Sequence, residues 1–198
     1  MTMPRPEHPR PQMMRENWTN LNGEWNFYID YGNSGKDRKL YQKKEFPEKI
    51  IVPFCPESSL SGIGQVDFMP AVWYEKNLML KKELYGNRVL LHFGAVDYRC
   101  SVWVNGKTVG EHCGGYSSFM FDITDFLEEG ENSLVVCAQD DVRCGLQPRG
   151  KQSPDYFSTG CNYTRVTGIW QTVWLEYVPE NYICSVQYYP NIADGTLT

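Results

Sequence analysis

The sequence has few features of a membrane or nucleic-acid-binding protein. No segment approaches the ~18 consecutive apolar residues of a transmembrane helix, and Met1 to Gln12 lacks the apolar stretch of a secretory signal. The net charge is −5, and no basic patch dominates. We therefore expect neither a membrane nor a nucleic acid as a partner.

Metal-binding patterns are also missing. The seven cysteines are odd in number and scattered, and none forms a C-x-x-C pair. This pattern gives no support for a zinc site, so we expect no metal and no cofactor. Several cysteines lie in strand-like runs, where a free thiol behaves as a small hydrophobic group. A reducing, cytoplasmic location fits such cysteines best.

Aromatic residues are plentiful: they make up 14% of the chain, with 6 Trp and 13 Tyr. Aromatic side chains favour strands, and their apolar faces can also stack on sugar rings. For any single ring, a place in the core is the stronger of these two interpretations.

Apolar and polar residues alternate in short stretches almost throughout the chain. Trp25, Phe27 and Ile29 show the period of two that is typical of a half-buried strand. Asn105-Gly106 separates two strand-like runs and predicts a tight hairpin. With about eight or nine such strands and almost no helix, we predict an all-β fold, an antiparallel jelly-roll β-sandwich.

One short helical turn is expected after the strand-like segment 119–121. Asp125 is its predicted cap, with Glu128 three residues later and Gly130 closing the turn.

Two stretches interrupt the strand rhythm, Cys55 to Pro70 and Asp140 to Thr167. Connections longer than ~12–15 residues are usually functional or disordered. We expect both to be ordered loops at one end of the sandwich.

The pattern also divides the chain. Residues 1–16 contain several prolines and predict a flexible or extended arm, and residues 17–178 form the predicted jelly roll. The alternation restarts over Ile183 to Tyr188, before a turn at residues 190–195. This restart predicts the first strand of a second domain in a longer protein.

Three segments carry a resemblance to a known family. They are Asn17-Trp18-Thr19-Asn20-Leu21-Asn22-Gly23-Glu24-Trp25, then Val102-Trp103-Val104-Asn105-Gly106-Lys107 continuing through Gly114-Gly115-Tyr116 to Thr124, and Asn162-Tyr163-Thr164-Arg165-Val166-Thr167-Gly168-Ile169-Trp170-Gln171. In this order and spacing they resemble the sugar-binding domain of glycoside hydrolase family 2, which includes β-galactosidases and β-glucuronidases. Residues 179–198 are similar to the start of that family's immunoglobulin-like β-sandwich domain.

The resemblance implies the non-catalytic amino-terminal domain of a retaining β-glycosidase. In the family, two carboxylates on a separate (β/α)₈ barrel cleave the glycosidic bond. That barrel needs ~250 residues of alternating strand and helix, which this chain lacks, so we expect no catalytic residues here and no activity from this chain alone. The implied partners are a carbohydrate, a β-galactoside or β-glucuronide, and the remaining domains of the enzyme; a homo-oligomer stays open.

The resemblance also points to candidate substrate-binding residues, because the family's loop before the Gly-Ile strand brings a polar residue to the sugar. Counted back from Gly168, Asn162 stands where the family typically has an aspartate, and an amide adds a donor but loses the charge. The other candidates share this loop: Arg149, Lys151, Tyr163 and Arg165. Arg165 has an equal alternative role, bracing the loop through its own carbonyls.

Other catalytic combinations are weak. Asp140-Asp141 are adjacent, and neighbouring strand residues point to opposite faces, so a solvated strand end is the better interpretation. His8, His92 and His112 are isolated in sequence, and His92 is expected to be structural. Ser117-Ser118 lacks a nucleophile elbow.

Two rival functions remain. One is an autonomous carbohydrate-binding module, which requires an exposed aromatic platform or a calcium-braced cleft. The other is a purely structural or oligomer-forming domain.

Overall fold

The computed structural model describes residues 2–43, 46–80 and 87–198. The described strands, in chain order, are β1 (Trp18–Asn20), β2 (Gly23–Ile29), β3 (Glu48–Val52), β4 (Ala71–Met79), β5 (Arg88–Phe93), β6 (Val96–Asp97), β7 (Arg99–Val104), β8 (Lys107–Cys113), β9 (Phe119–Asp122), β10 (Glu131–Gln139), β11 (Gly168–Ile169), β12 (Val173–Val178), β13 (Pro190–Asn191) and β14 (Thr196–Leu197). Helical structure in the described ranges consists of three-residue 3₁₀ turns at Pro11–Met13, Leu40–Gln42, Ser59–Ser61 and Thr124–Phe126.

Two antiparallel sheets form the body of the fold. The four-stranded sheet has the order β1-β12-β5-β9, and the six-stranded sheet has the order β3-β2-β4-β10-β7-β8. A small pair, β11 with β6, lies beside them. The prediction of an all-β, antiparallel jelly-roll sandwich is confirmed, although short strands such as β1, β6 and β11 raise the strand number above the expected eight or nine.

The core lies between the two inner faces. Leu91 and Leu175 of the four-stranded sheet belong to the same buried cluster as Phe27, Tyr74 and Val136 of the six-stranded sheet. The outer face of the six-stranded sheet has a second apolar cluster that includes Trp73 and Trp103. Both faces of β4 and β10 are therefore buried, which is why these strands read as nearly continuous apolar runs.

The predicted hairpin is present. Asn105 and Gly106 have φ angles of 51° and 73° between β7 and β8, which is the backbone that a tight hairpin turn requires. The predicted cap of the short turn is wrong: Asp125 lies inside the 3₁₀ turn, and Asp122 Oδ1 accepts the Thr124 N–H at 3.0 Å. Asp122 is better placed because it precedes the turn, where side-chain acceptors face the unpaired N–H groups.

The predicted strand over Ile183 to Tyr188 is also not formed. These residues are all exposed and pair with no strand among the described residues, although the turn that follows closes the β13-β14 hairpin. Alternation alone does not make a strand, because its backbone groups need a partner.

The amino-terminal arm contacts the sandwich. Asn22 donates its side-chain amide to the Pro4 carbonyl at 3.1 Å, and His8 is buried with only 7% of its surface exposed. The His8 ring lies edge-on to Trp18, with centroids 4.7 Å apart. Arg15 pairs with Glu176 of β12. In this structure the arm therefore packs against β1 and β12.

Candidate functional site

The two long loops meet at one end of the sandwich, as predicted. The Thr167 N–H donates to Glu57 Oε2 at 3.2 Å, and the guanidinium carbons of Arg143 and Arg165 lie 3.8 and 4.2 Å from the ring centre of Phe68. These contacts join the segment after β10 to the segment before β4.

The long loop has internal order of its own. Tyr163 donates its N–H to the Lys151 carbonyl at 2.8 Å, and Ser153 donates its N–H to the Tyr163 carbonyl at 2.7 Å. Asn162 closes the intervening turn by donating its N–H to the Thr159 carbonyl at 3.0 Å. Backbone bonds therefore hold the two limbs of this loop side by side.

Arg165 stabilises the loop from inside. It is only 2% exposed, and its guanidinium donates to the carbonyls of Asp155 at 2.6 Å and of Val66. Longer bonds reach the carbonyls of Ser153 and Tyr156, both at 3.5 Å. A planar guanidinium can satisfy several carbonyls at once, so the geometry is that of the bracing alternative.

Three carboxyl groups are buried beneath the loops, and sequence reasoning missed their proximity. Asp140 accepts from Gln147 Nε2 at 2.6 Å and from the Thr167 hydroxyl at 3.4 Å. Asp97 accepts from Gln152 Nε2 at 2.7 Å, while Gln152 Oε1 accepts the Val166 N–H at 2.8 Å. Glu57, Asp97 and Asp140 are each at most 8% exposed.

Burial governs the acidity of these groups, because a charge is costly where water is excluded. It raises the pKa of Glu57 to about 7, against hydrogen bonds from Thr167 that lower it. Burial and then the charge of Asp140 raise the pKa of Asp97 to about 7. Burial also raises the pKa of Asp140 to about 6. Glu57, Asp97 and Asp140, which lie in the network that supports the loop, are therefore partly protonated near neutral pH.

The remaining predicted site residues lie on the outer side of the loop. Lys151 and Tyr163 are exposed, whereas Asn162 and Arg149 are half-buried. Arg149 donates to the Gln152 carbonyl at 2.7 Å, which holds its side chain against the loop. The backbone bond between Lys151 and Tyr163 brings these two residues together, with Asn162 adjacent. Arg165 alone lies apart from this surface, in the loop interior.

Exposed aromatic rings are another feature of this end. Tyr116 is 59% exposed and Phe157 is 74% exposed. The Tyr116 hydroxyl lies 3.4 Å from the Arg149 carbonyl, and its ring is edge-on to Trp170. The sequence did contain a signal for the exposure of Tyr116 and Phe157. Both lie in segments next to Gly or Pro and not in strands, and aromatic residues in loops do not join a sheet core.

The structure also places the residues of the weak catalytic combinations. Asp140 is buried, which corrects its interpretation as a solvated strand end, while Asp141 is exposed. His92, as expected, is structural: it is 1% exposed and stacks on Trp174 at 4.7 Å. His112 contacts the exposed Ser117 hydroxyl at 3.0 Å within one turn.

His8 and His92 are distant in sequence, but both lie close to Glu176. Their Nε2 atoms are 3.5 and 3.3 Å from the Glu176 carboxylate. In the described ranges, no group of three or more His, Cys, Asp or Glu side chains is arranged to hold a metal ion. Within the same ranges, no helix is long and apolar enough to cross a membrane.

The fold and this loop define a jelly-roll domain whose ordered end loop presents polar and aromatic side chains. The model of the family "Glycosyl hydrolases family 2, sugar binding domain" matches residues 63–179. The chain therefore belongs to glycosyl hydrolases family 2, and the matched region is its sugar binding domain.

Individual relatives agree. Over 170 residues the chain is 33% identical to a beta-galactosidase of Thermoanaerobacter pseudethanolicus, covering 85% of this chain and 20% of that protein. It is 32% identical over 130 residues to a beta-glucuronidase of Bacteroides fragilis, covering 65% of this chain and 17% of that protein. The chain thus spans about a fifth of the length of these relatives.

Solved structures share the fold. A beta-glucuronidase of an uncultured Clostridium species superposes with a TM-score of 0.71 at 24% identity, covering 91% of this chain and 32% of that one. A β-glucuronidase from Ruminococcus gnavus in complex with D-glucaro 1,5-lactone gives a TM-score of 0.68 at 22% identity, covering 85% and 31%.

Proposed function

We propose that this chain is the non-catalytic amino-terminal domain of a retaining β-glycosidase of the β-glucuronidase or β-galactosidase type. In this proposal, its long loop contributes Asn162, Tyr163, Lys151 and Arg149 to a substrate pocket completed by a separate catalytic barrel. The partners are then a β-glucuronide or β-galactoside and the remaining domains of the enzyme. The family match and the short share of each relative that the chain covers support this assignment.

The observation that carries the proposal is the construction of the loop. Polar groups on its outer side are held by a rigid support, with Arg165 and the buried carboxyl groups beneath them. A binding surface needs side chains whose positions are fixed by the residues behind them. Hydrogen bonds hold the loop backbone and the Arg149 side chain, which supports the proposal. In this proposal the loop forms one wall of the pocket and, without the barrel, leaves a ligand open to solvent.

Catalysis by this chain is not supported by its buried acids. A retaining glycosidase uses two carboxyl groups ~5–5.5 Å apart on either side of the bond it cleaves. Glu57, Asp97 and Asp140 are instead enclosed and bonded to Thr167, Gln152 and Gln147. Their position beneath the loop keeps substrate away from them.

The proposal includes a cytoplasmic location. All seven cysteines are unpaired, and four of them are exposed. Exposed thiols remain reduced in a compartment with a glutathione or thioredoxin system.

An autonomous carbohydrate-binding module is the second candidate, because Tyr116, Phe157 and Tyr163 are exposed, and the Tyr116 hydroxyl contacts the long loop at the Arg149 carbonyl. Exposed aromatic rings can stack on sugars without help from another domain. A purely structural or oligomer-forming domain is the third candidate.

One comparison tests these functions. The chain and the full-length product of the same gene are assayed on aryl β-glucuronide and aryl β-galactoside, and methyl glycosides are titrated into the chain by calorimetry. We expect turnover by the full-length protein only, and Kd values for the chain of ~1 mM or weaker, since one wall buries little ligand surface.

Two results would contradict the proposal. Turnover by the repurified chain that disappears on substitution of an Asp or Glu would make it catalytic. Binding in the micromolar range would instead support the autonomous module.

A further inference from the structure

A cleft lies on the outer face of the six-stranded sheet, at the end remote from the long loop. Its floor is formed by polar side chains of neighbouring strands: Asn26 of β2, Glu75 and Asn77 of β4, and Ser133 of β10. Asn26 pairs with Glu75 and Asn77 pairs with Ser133 in the strand register. The four side chains therefore form a compact patch on one pleated surface.

Aromatic residues form a wall of the cleft. Tyr41 and Phe46 line it, and the Tyr41 ring is stacked on Trp103 with centroids 5.1 Å apart and planes 9° from parallel. The cleft has a volume of about 920 Å³. This size lies within the ~300–1,000 Å³ range of ligand-binding clefts.

The floor is held by a chain of hydrogen bonds. Glu75 is 3% exposed and accepts from Asn26 Nδ2 and from the Ser133 hydroxyl, the latter at 3.3 Å. Lys49 donates to Asn26 Oδ1 at 2.5 Å. Since each amide nitrogen has two donors and each ammonium has three, Asn26 keeps one further donor. Lys49, which also pairs with Glu24 at 3.4 Å, keeps another.

The net negative charge of the cleft lining favours neutral sugars over sugars that carry a carboxylate. Among the described residues that line the cleft, Glu75, Glu128 and Glu131 oppose one cation, Lys49. A carboxylate ligand would be repelled by this excess of negative charge, whereas neutral hydroxyl groups can both donate to and accept from such a surface.

The cleft and the long loop occupy opposite ends of β10. Ser133 lies near the start of this strand, and Asp140 follows its last residue, Gln139. At ~3.3 Å per residue, the two positions are roughly 23 Å apart. A single sugar ring cannot contact both.

We propose that this cleft is a second carbohydrate-binding site, specific for a neutral hexopyranosyl unit over a uronic acid. Asn26, Asn77, Lys49 and Ser133 supply the hydrogen bonds, and the Tyr41 ring supplies an apolar wall. Glu75 is a positioning residue that orients Asn26 and Ser133. This site stands independently of the role proposed for the long loop.

The test is a titration of the ¹⁵N-labelled chain with methyl β-D-galactopyranoside, methyl β-D-glucopyranoside and methyl β-D-glucuronide, followed by NMR. Concentrations reach about 50 mM, well above a Kd of ~1 mM. We expect the amide signals of Asn26, Asn77 and Ser133 to shift with at least one neutral glycoside. The glucuronide should bind at least fivefold more weakly.

Variants separate this site from the loop. Asn77→Ala removes an exposed floor side chain and should weaken neutral-sugar binding about two- to tenfold, and Tyr41→Ala should weaken it further while Tyr41→Phe retains it. Asn162→Ala is the matched control in the loop and should leave the cleft shifts unchanged. The proposal is overturned if no cleft amide shifts, if shifts are confined to residues 149–166, or if the glucuronide binds as tightly as the neutral glycosides.

Discussion

The backbone N–H of Thr167 donates to the Glu57 carboxylate at 3.2 Å, across 110 residues of sequence. This bond joins the last part of one long loop to the first part of the other. Thr167 also donates its hydroxyl to Asp140 at 3.4 Å. One residue therefore connects both loops to the end of β10, and the loop surface depends on groups that are distant in the chain.

Replacement of Arg165 should destabilise the domain. Arg165→Ala leaves the carbonyls of Val66 and Asp155 without their charged donor, and buried unpaired acceptors cost about 1–3 kcal/mol each. With partial relaxation, we expect a loss of about 2–4 kcal/mol and a Tm lower by roughly 5–15 °C. Differential scanning calorimetry provides the measurement.

Lys151→Ala is the matched control for this experiment, because Lys151 is exposed in the same loop. Its Tm should stay within about 2 °C of the parent value, as surface substitutions usually change stability by under 0.5 kcal/mol. An Arg165→Ala variant as stable as Lys151→Ala would show that the arginine does not brace the loop.

Stability should fall as the pH rises from about 4.5 to about 7. The folded-state pKa values of Glu57 and Asp97, both about 7, lie above their ordinary values of 4.5 and 3.8. The folded state therefore binds more protons than the unfolded state in this interval, and deprotonation favours unfolding. Chemical denaturation across this pH range measures the slope.

Glu57→Gln isolates one of these groups, since glutamine stays neutral and its carbonyl can still accept from Thr167. We expect this variant to match the parent near pH 4.5 and to exceed it at pH 8, by up to about 3 kcal/mol. A parent protein whose stability rises between pH 4.5 and 7, or a Glu57→Gln variant with the same slope as the parent, would contradict the expected burial effect.

The strongest local signal in the sequence predicted its local structure correctly. Asn105-Gly106 specified its hairpin because the turn depends on two residues that tolerate positive φ. Ile183 to Tyr188 also alternates locally, but a strand depends on a partner elsewhere. The period of two could not show that this partner is lacking among the described residues.

Local sequence patterns could not predict which residues meet in the interior of the site. Arg165 reaches the Val66 carbonyl 99 residues away, and Glu57, Asp97 and Asp140 come from different segments. These residues meet because the sheets bring the ends of distant strands together, and composition and spacing do not predict that arrangement. The outer residues, by contrast, were found because the family resemblance identified the loop that carries Asn162.

Glu176 should stabilise the attachment of the amino-terminal arm. Burial alone would raise its pKa, but contacts with His92 and the charge of Arg15 lower the pKa to about 2. Because this value lies below the ordinary 4.5, its stabilising contribution is present above pH 4.5 and is lost as the pH falls towards 2.

Glu176→Gln should therefore destabilise the chain by about 1–3 kcal/mol at pH 7 and by progressively less in acid. Arg15→Ala should have a smaller effect, since the Arg15 side chain is partly exposed. Limited proteolysis at residues 1–16 reports release of the arm. Equal losses for Glu176→Gln at pH 7 and pH 3, with an arm as resistant as in the parent, would exclude this role.

The last prediction concerns Asn162 in the full-length enzyme. Its backbone N–H bonds to the Thr159 carbonyl at 3.0 Å, a bond that Asn162→Ala preserves, so folding should barely change. If the side chain contacts substrate, its loss should cost about 0.5–2 kcal/mol and lower kcat/KM roughly two- to thirtyfold. Asn191→Ala, an exposed asparagine in the β13-β14 hairpin, should leave kcat/KM unchanged.

Melting temperature and kcat/KM of the Asn162→Ala enzyme must be measured together, because a bracing asparagine would lower both. An unchanged Tm with reduced kcat/KM places the side chain at the substrate, since the loop then keeps its structure. An unchanged kcat/KM with a lowered Tm would instead make Asn162 part of the loop support, together with Arg165. The substrate contacts of this domain would then have to come from Lys151, Tyr163 and Arg149.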